Sequence, residues 1–107
     1  MSKQLNVHVI EQARALIANE THWCRRQMAF DTDGGAVSAT DSRVTKLCAY
    51  GALIAAAHRM TNDCDRAYCL AGGAVSYFGG SSALIQVNDI DGHAAVLARF
   101  DDVIAGM

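Results

Sequence analysis

The sequence predicts a mainly α-helical fold, a compact bundle of about four helices plus a short helix. Three observations carry that prediction. Apolar residues return at steps of three and four through most of the chain, the period of a helix with one buried face. Proline is absent from all 107 residues, so no ring interrupts a helical run. Apolar residues make up 51% of the chain, and much of that share is alanine, which implies close helix contacts in place of bulky anchors. At this length residues 1–107 form a single all-α domain that can bury a core without metal or disulfide staples.

The first helix is expected over 4–20, where Val9, Ile10, Ala13, Leu16 and Ile17 share a face and Glu11, Gln12, Arg14 and Asn19 lie outside it. It ends near Thr21, His22 and Trp23. Residues 23–41 lose the helical period. A small β-hairpin between the first two helices, turning at Asp33-Gly34-Gly35, competes there with a plain loop rich in Ser, Thr, Asp and Gly.

The stretch 43–58 is the centre of the design. Val44, Leu47, Cys48, Gly51, Ile54, Ala55 and His58 fall on one helical face, apolar throughout and very small in its middle. Asp41 or Ser42 is the expected N-cap, with the helix running to about Met60. Asn62 is expected to cap a third helix carrying Ala67, Leu70, Ala71, Ala74, Val75 and Phe78, which Gly79-Gly80 stops. Its Gly72-Gly73 pair costs about 1 kcal/mol per Gly relative to Ala, tolerable where another backbone packs, and the face around Gly51 is the expected neighbour. Ser81-Ser82 starts a short helix that ends near Asn88-Asp89. Asp91 is the expected cap of a last helix striped with His93, Val96, Leu97, Phe100, Val103, Ile104 and Met107.

Charge and cysteine usage exclude several function classes. Nine Lys or Arg against eleven Asp or Glu leave a net charge of -2, with the signs interspersed. The basic stripe of a nucleic-acid binder is missing. No apolar run reaches the roughly 18 residues of a membrane span. The N-terminus has neither an apolar export segment nor a cleavage site, so the chain is expected to be cytoplasmic and its four cysteines free, mostly buried thiols.

Chemistry-bearing residues fall into three groups. Cys48, Asn88, Asp89 and His93 supply the thiol, imidazole and orienting amide or carboxylate that cysteine catalysis requires. Cys48 is expected well inside its helix, away from the N-terminal dipole that would activate it, and His93 lies on an apolar stripe. His22, Cys24, His58, Cys64 and Cys69 are zinc-type ligands, but no Cys-x2-Cys pair exists and Cys64 and Cys69 point apart on a helix, so no metal and no cofactor is expected. The glycine doublets do not form a phosphate loop. Trp23, Arg25, Arg26 and Phe30 concentrate aromatic and cationic groups in the irregular segment. They are the best candidates for a binding face toward a protein partner or a second copy of the chain.

Several motifs together resemble a family of small bacterial and phage proteins of unknown function. They are the helix Ala13-Arg14-Ala15-Leu16-Ile17, then Trp23, then Leu47-Cys48-Ala49-Tyr50-Gly51-Ala52-Leu53, then Asn88-Asp89, and His93 with Val96-Leu97 behind it. That family pairs an aromatic-Cys-x-x-Gly-Ala-Leu helix with an aromatic-Asn-Asp turn and a hydroxyl-His-x-x-Val helix. Leu47 and Val87 stand where it has aromatics, and Gly92 where it has Ser or Thr. The resemblance implies the fold and a focus on Cys48, Asn88, Asp89 and His93, without implying a reaction. A non-enzymatic binding or protein-interaction module is the leading expectation. A small thiol-dependent enzyme using Cys48 and His93 is the alternative.

Overall fold

The computed structural model describes residues 3–107. Among the described residues the chain forms five α-helices and one two-stranded antiparallel sheet: α1 (Lys3–Ile17), β1 (Ala29–Asp31), β2 (Val44–Leu47), α2 (Ala49–Thr61), α3 (Cys64–Val75), α4 (Ser81–Gln86) and α5 (His93–Gly106). Short 3-10 turns at Glu20–His22 and Ser76–Phe78 and a π-helical turn at Val87–Asp91 link them.

The central helix is α2. Every residue from Gly51 to Ala57 is buried, because α1 and α3 pack against it over most of its length and α4 covers part of the remainder. Small side chains make that enclosure geometrically feasible. A second layer forms where α5 crosses onto α1, held on the surface by Arg14, which grips Asp101 through Nε at 2.6 Å and Nη2 at 3.1 Å. Phe78 and Phe100 meet at a centroid separation of 4.8 Å, tilted by 56°, and fill the corner between α3 and α5.

The sheet lies between α1 and α2, as a hairpin would. Its pairing differs from the one the Asp33-Gly34-Gly35 turn predicts. That turn exists: Asp31 Oδ1 accepts from the N–H groups of Asp33 and Gly35, and Gly34 takes φ +84°. The chain returning from it meets β1 in a single antiparallel bridge, Phe30 opposite Ala36, with the Asp31 N–H donating to the Gly35 carbonyl and the Val37 N–H to the Ala29 carbonyl, and the longer pairing of β1 is with β2. The central helix consequently begins at Ala49 and not near Asp41. Val44 and Thr45 are β-branched and fit the pleated surface, and the Cys48 N–H turns to the Met28 carbonyl at 3.0 Å instead of continuing a helix.

Two helix starts also differ from expectation. Asp63, not Asn62, caps α3, its side chain accepting from the Arg66 N–H, while Asn62 closes α2 in the left-handed region at φ 51°. The cap of α5 is Gly92, with no side-chain bond, because Asp91 still belongs to the π-helical turn. α2 and α3 pack together as expected, but the glycines of the two helices do not face each other. A Cβ on Gly51 would overlap the Met28 carbonyl oxygen, so that glycine admits the backbone leading into β1. Gly73 faces Asn6 of α1, and Gly72 faces open space.

Candidate functional site

After the Glu20–His22 turn, Trp23 bridges to Leu47 in parallel register, and the Cys24 N–H donates to the Leu47 carbonyl at 3.1 Å. The segment 23–28 is thereby laid beside β2 and the start of α2. One side chain holds its first two residues there. Asn88, fully buried at 0% exposure in the π-helical turn, accepts through Oδ1 from Trp23 Nε1 at 2.7 Å and from the Ala49 N–H at 2.8 Å. Through Nδ2 it donates to the Cys24 carbonyl at 3.0 Å and to Asp89 Oδ1 at 3.0 Å. One amide thus ties together three segments, with its hydrogen-bonding capacity spent.

Asp89 extends the network. Its Oδ1 also accepts from the Arg26 N–H at 2.9 Å, and Arg26 adopts φ 70°, a left-handed conformation unusual for a residue with a side chain. Strained backbone and π-helical turns concentrate where a structure has a task beyond packing. Arg25, next to it, lays its guanidinium 5.3 Å from the centroid of the Trp23 ring. Gly92 also lies beside it, at φ +97°, where a Cβ would come within 3.0 Å of Arg25 Nη2. The Trp23 ring also meets the His93 ring at 5.4 Å and 53°.

The thiol candidates are placed differently from expectation. Cys48 is the N-cap of α2, its Sγ accepting from the Gly51 N–H at 3.2 Å, so it does stand at the helix N-terminus. Sequence reasoning missed this because cysteine is not among the usual capping types. The position does not yield an activated thiol. Burial pushes the Cys48 thiol above its ordinary value, outweighing the backbone N–H groups of Gly51 and Tyr50 that act in the opposite direction. Burial, and secondarily Cys48 itself, pushes Cys24 up to about 12. His93 uses Nε2 on the Ile17 carbonyl at 2.7 Å, at the end of α1, so this nitrogen carries a proton and is engaged away from Cys48. Asn88 and Asp89 are occupied with Trp23, Ala49, Cys24 and Arg26, and neither hydrogen-bonds the His93 ring.

Two depressions flank this network. The larger, of about 700 Å³, runs between the Trp23 segment and the sheet, with Trp23, Arg25, Phe30, Asp31, Thr45 and Lys46 among its lining. The smaller, about 200 Å³, is lined by Arg26, Gln27, Met28, Cys48, Ile85 and Asp89. Three of the four binding residues read from sequence therefore share one groove, and Arg26 faces the other. Lys46 and Thr45 went unnoticed, since only the β1–β2 register brings them here, and Gly92 drew notice only as a departure from the family's hydroxyl.

Cys64 and Cys69 are exposed on α3, against the expectation of mostly buried thiols. Among the described residues no three His, Cys, Asp or Glu side chains converge on a point that could hold a metal ion. No described helix is long and apolar enough to cross a membrane.

No curated protein and no solved structure matches the chain. A family model does, over residues 1–106, nearly the whole of the molecule just described. The chain belongs to that family, the Family of unknown function (DUF6197).

Proposed function

We propose that the protein is a non-enzymatic binding or protein-interaction module, with the groove between the Trp23 segment and the sheet as its binding face. The observation that carries this reading is the use made of Asn88. A fully buried amide spends two of its four bonds on the Trp23 indole and the Cys24 carbonyl beside it, which form a wall of the groove, and the other two tie that wall to the start of α2 and to Asp89. Rigid aromatic groups beside cationic ones are the usual anchors of an interface, because little conformational entropy is lost when a partner docks. A cytoplasmic setting, and the bacterial or phage origin that the motif resemblance implies, go with this reading; the partner is another protein or a second copy of the chain.

A small thiol-dependent enzyme is the second reading, favoured by one observation, the position of Cys48 at the N-cap of α2 beside the smaller depression. The raised thiol and the engagement of His93 Nε2 with Ile17 weigh against it.

The test is affinity capture with the folded protein as bait, the control being a Phe30→Ser, Lys46→Glu variant of the groove. A binding module retains a partner that the variant loses. If bait and variant retain the same proteins, while brief alkylation modifies Cys48 rapidly near neutral pH, the enzyme reading replaces it.

A further inference from the structure

We infer that the groove recognises the carboxylates of an acidic, apolar-anchored peptide segment, with Arg25 as the residue that reads the charge. This rests on the binding-module reading and adds the partner's chemistry.

Three separate devices hold the Arg25 guanidinium. The Trp23 ring supports one face at 5.3 Å. Asn88 fixes that ring by its indole N–H. Gly92, in a conformation that L side chains avoid, leaves open the space that Nη2 borders. A surface arginine ordinarily wanders or finds a carboxylate, and the chain has both kinds of pairing available, as Arg14 with Asp101 and Arg43 with Asp41 demonstrate. Arg25 has neither an ion pair nor a side-chain hydrogen bond among the described residues, although three residues position it. An oriented guanidinium with unspent N–H donors is matched by an oxyanion, which it grips through two parallel bonds.

The rest of the lining decides which oxyanion. Lys46 adds a second cation, likewise in no ion pair among the described residues, and Asp31 lines the same groove with a carboxylate whose Oδ1 is committed to its own turn. Two cations against one anion suit one or two carboxylates. They are too few for a nucleic-acid backbone, whose affinity grows from many phosphate contacts. Trp23 and Phe30 supply the apolar wall on which a Leu or Phe side chain of the partner would rest.

Trp23 is the only tryptophan in the chain, so its fluorescence reports the site directly. The experiment titrates the folded protein at low ionic strength with a short peptide alternating Glu with Leu and Phe. The same peptide with Gln for Glu, inorganic phosphate and oligothymidylate serve as competitors in kind. The expected result is a saturable change with the acidic peptide. It weakens by about tenfold for the Gln peptide and for Arg25→Gln, the loss of one charged hydrogen-bonded pair, and fades as salt rises. Equal affinity for the Gln peptide, or an Arg25→Gln protein that binds as well as the parent, overturns the proposal. Tighter binding of phosphate or oligothymidylate overturns it too, and assigns the cations to phosphate. If no peptide binds while groove variants still lose a captured partner, the acidic-segment proposal fails and the binding-module reading stands.

Discussion

The indole N–H of Trp23 donates to the side-chain oxygen of Asn88 at 2.7 Å across 65 residues of sequence. That oxygen takes the Ala49 N–H as well, so the wall of the groove and the start of the central helix share one acceptor. Asn88→Ala is expected to destabilise the protein by about 3 kcal/mol, because an indole N–H, a helix-terminal N–H and a carbonyl lose their buried partner together. The urea midpoint should fall, and Trp23 emission should move to the red. A variant with the parent's midpoint would show that water replaces the amide at no cost.

Two glycines should respond in opposite directions. Gly51→Ala drives a methyl into the Met28 carbonyl, whose position is fixed by the Cys48 N–H, and is expected to cost roughly 2 kcal/mol. Gly72→Ala lies in α3 with nothing within 4 Å and is expected to stabilise by roughly 0.5–1 kcal/mol through helix propensity. Thermal melts of the two variants side by side test both; equal shifts would sink the account of close approach at Gly51.

Native alkylation should separate the four thiols into two pairs. Cys64 and Cys69, exposed on α3, are expected to react readily, and Cys24 and Cys48 only on unfolding. Peptide mapping after a short pulse of iodoacetamide decides this.

The same burial has an alkaline consequence. The folded Cys24 thiol holds its proton up to about 12, whereas the unfolded chain releases it near the ordinary value of about 9. The folded state binds more protons across that interval. Its contribution is full below the unfolded value and is lost as pH rises toward 12. Stability should decline over this range, and Cys24→Ala should flatten the decline; an unchanged slope would refute the link.

On the acid side, Arg14 lowers the Asp101 carboxyl below its usual range, chiefly by hydrogen bonding to it. The sign is reversed relative to the thiol. The pair contributes above the unfolded carboxylate value near 4 and is lost as pH falls through the lower folded one. Asp101→Asn should lower stability slightly at neutral pH and not at all in strong acid. Chemical denaturation at the two pH values measures the difference.

Much of the architecture could be read from periodicity. α1, α3 and α5 appear where apolar residues recur at helical steps, and β1 falls in the one segment that loses the period. The start of the central helix could not be read this way. Val44, Leu47, Cys48 and Gly51 stand at steps that extend a helical face backward, and only pairing with β1 turns Val44–Leu47 into a strand. The site was half visible. Trp23, Arg25, Arg26 and Phe30 drew notice as a group, while Asn88 stood out only as a candidate to orient His93, since an amide that makes three long-range bonds and one that makes none look alike in sequence. The role of Gly92 depends on a guanidinium contributed from 67 positions earlier, counting back from 92 to 25.

Asn88 also orders the assembly of the molecule in time. A ribosome delivers Trp23, Arg25 and the sheet long before it delivers the residue that pins them. Until then the indole has no acceptor, and Arg26 has no carboxylate to hold its backbone in the left-handed form. A nascent or truncated chain that stops short of residue 88 lacks the acceptor and the carboxylate that finish this wall of the groove. A partner that reads this surface, as proposed above, is expected to recognise only a chain whose synthesis has passed the π-helical turn.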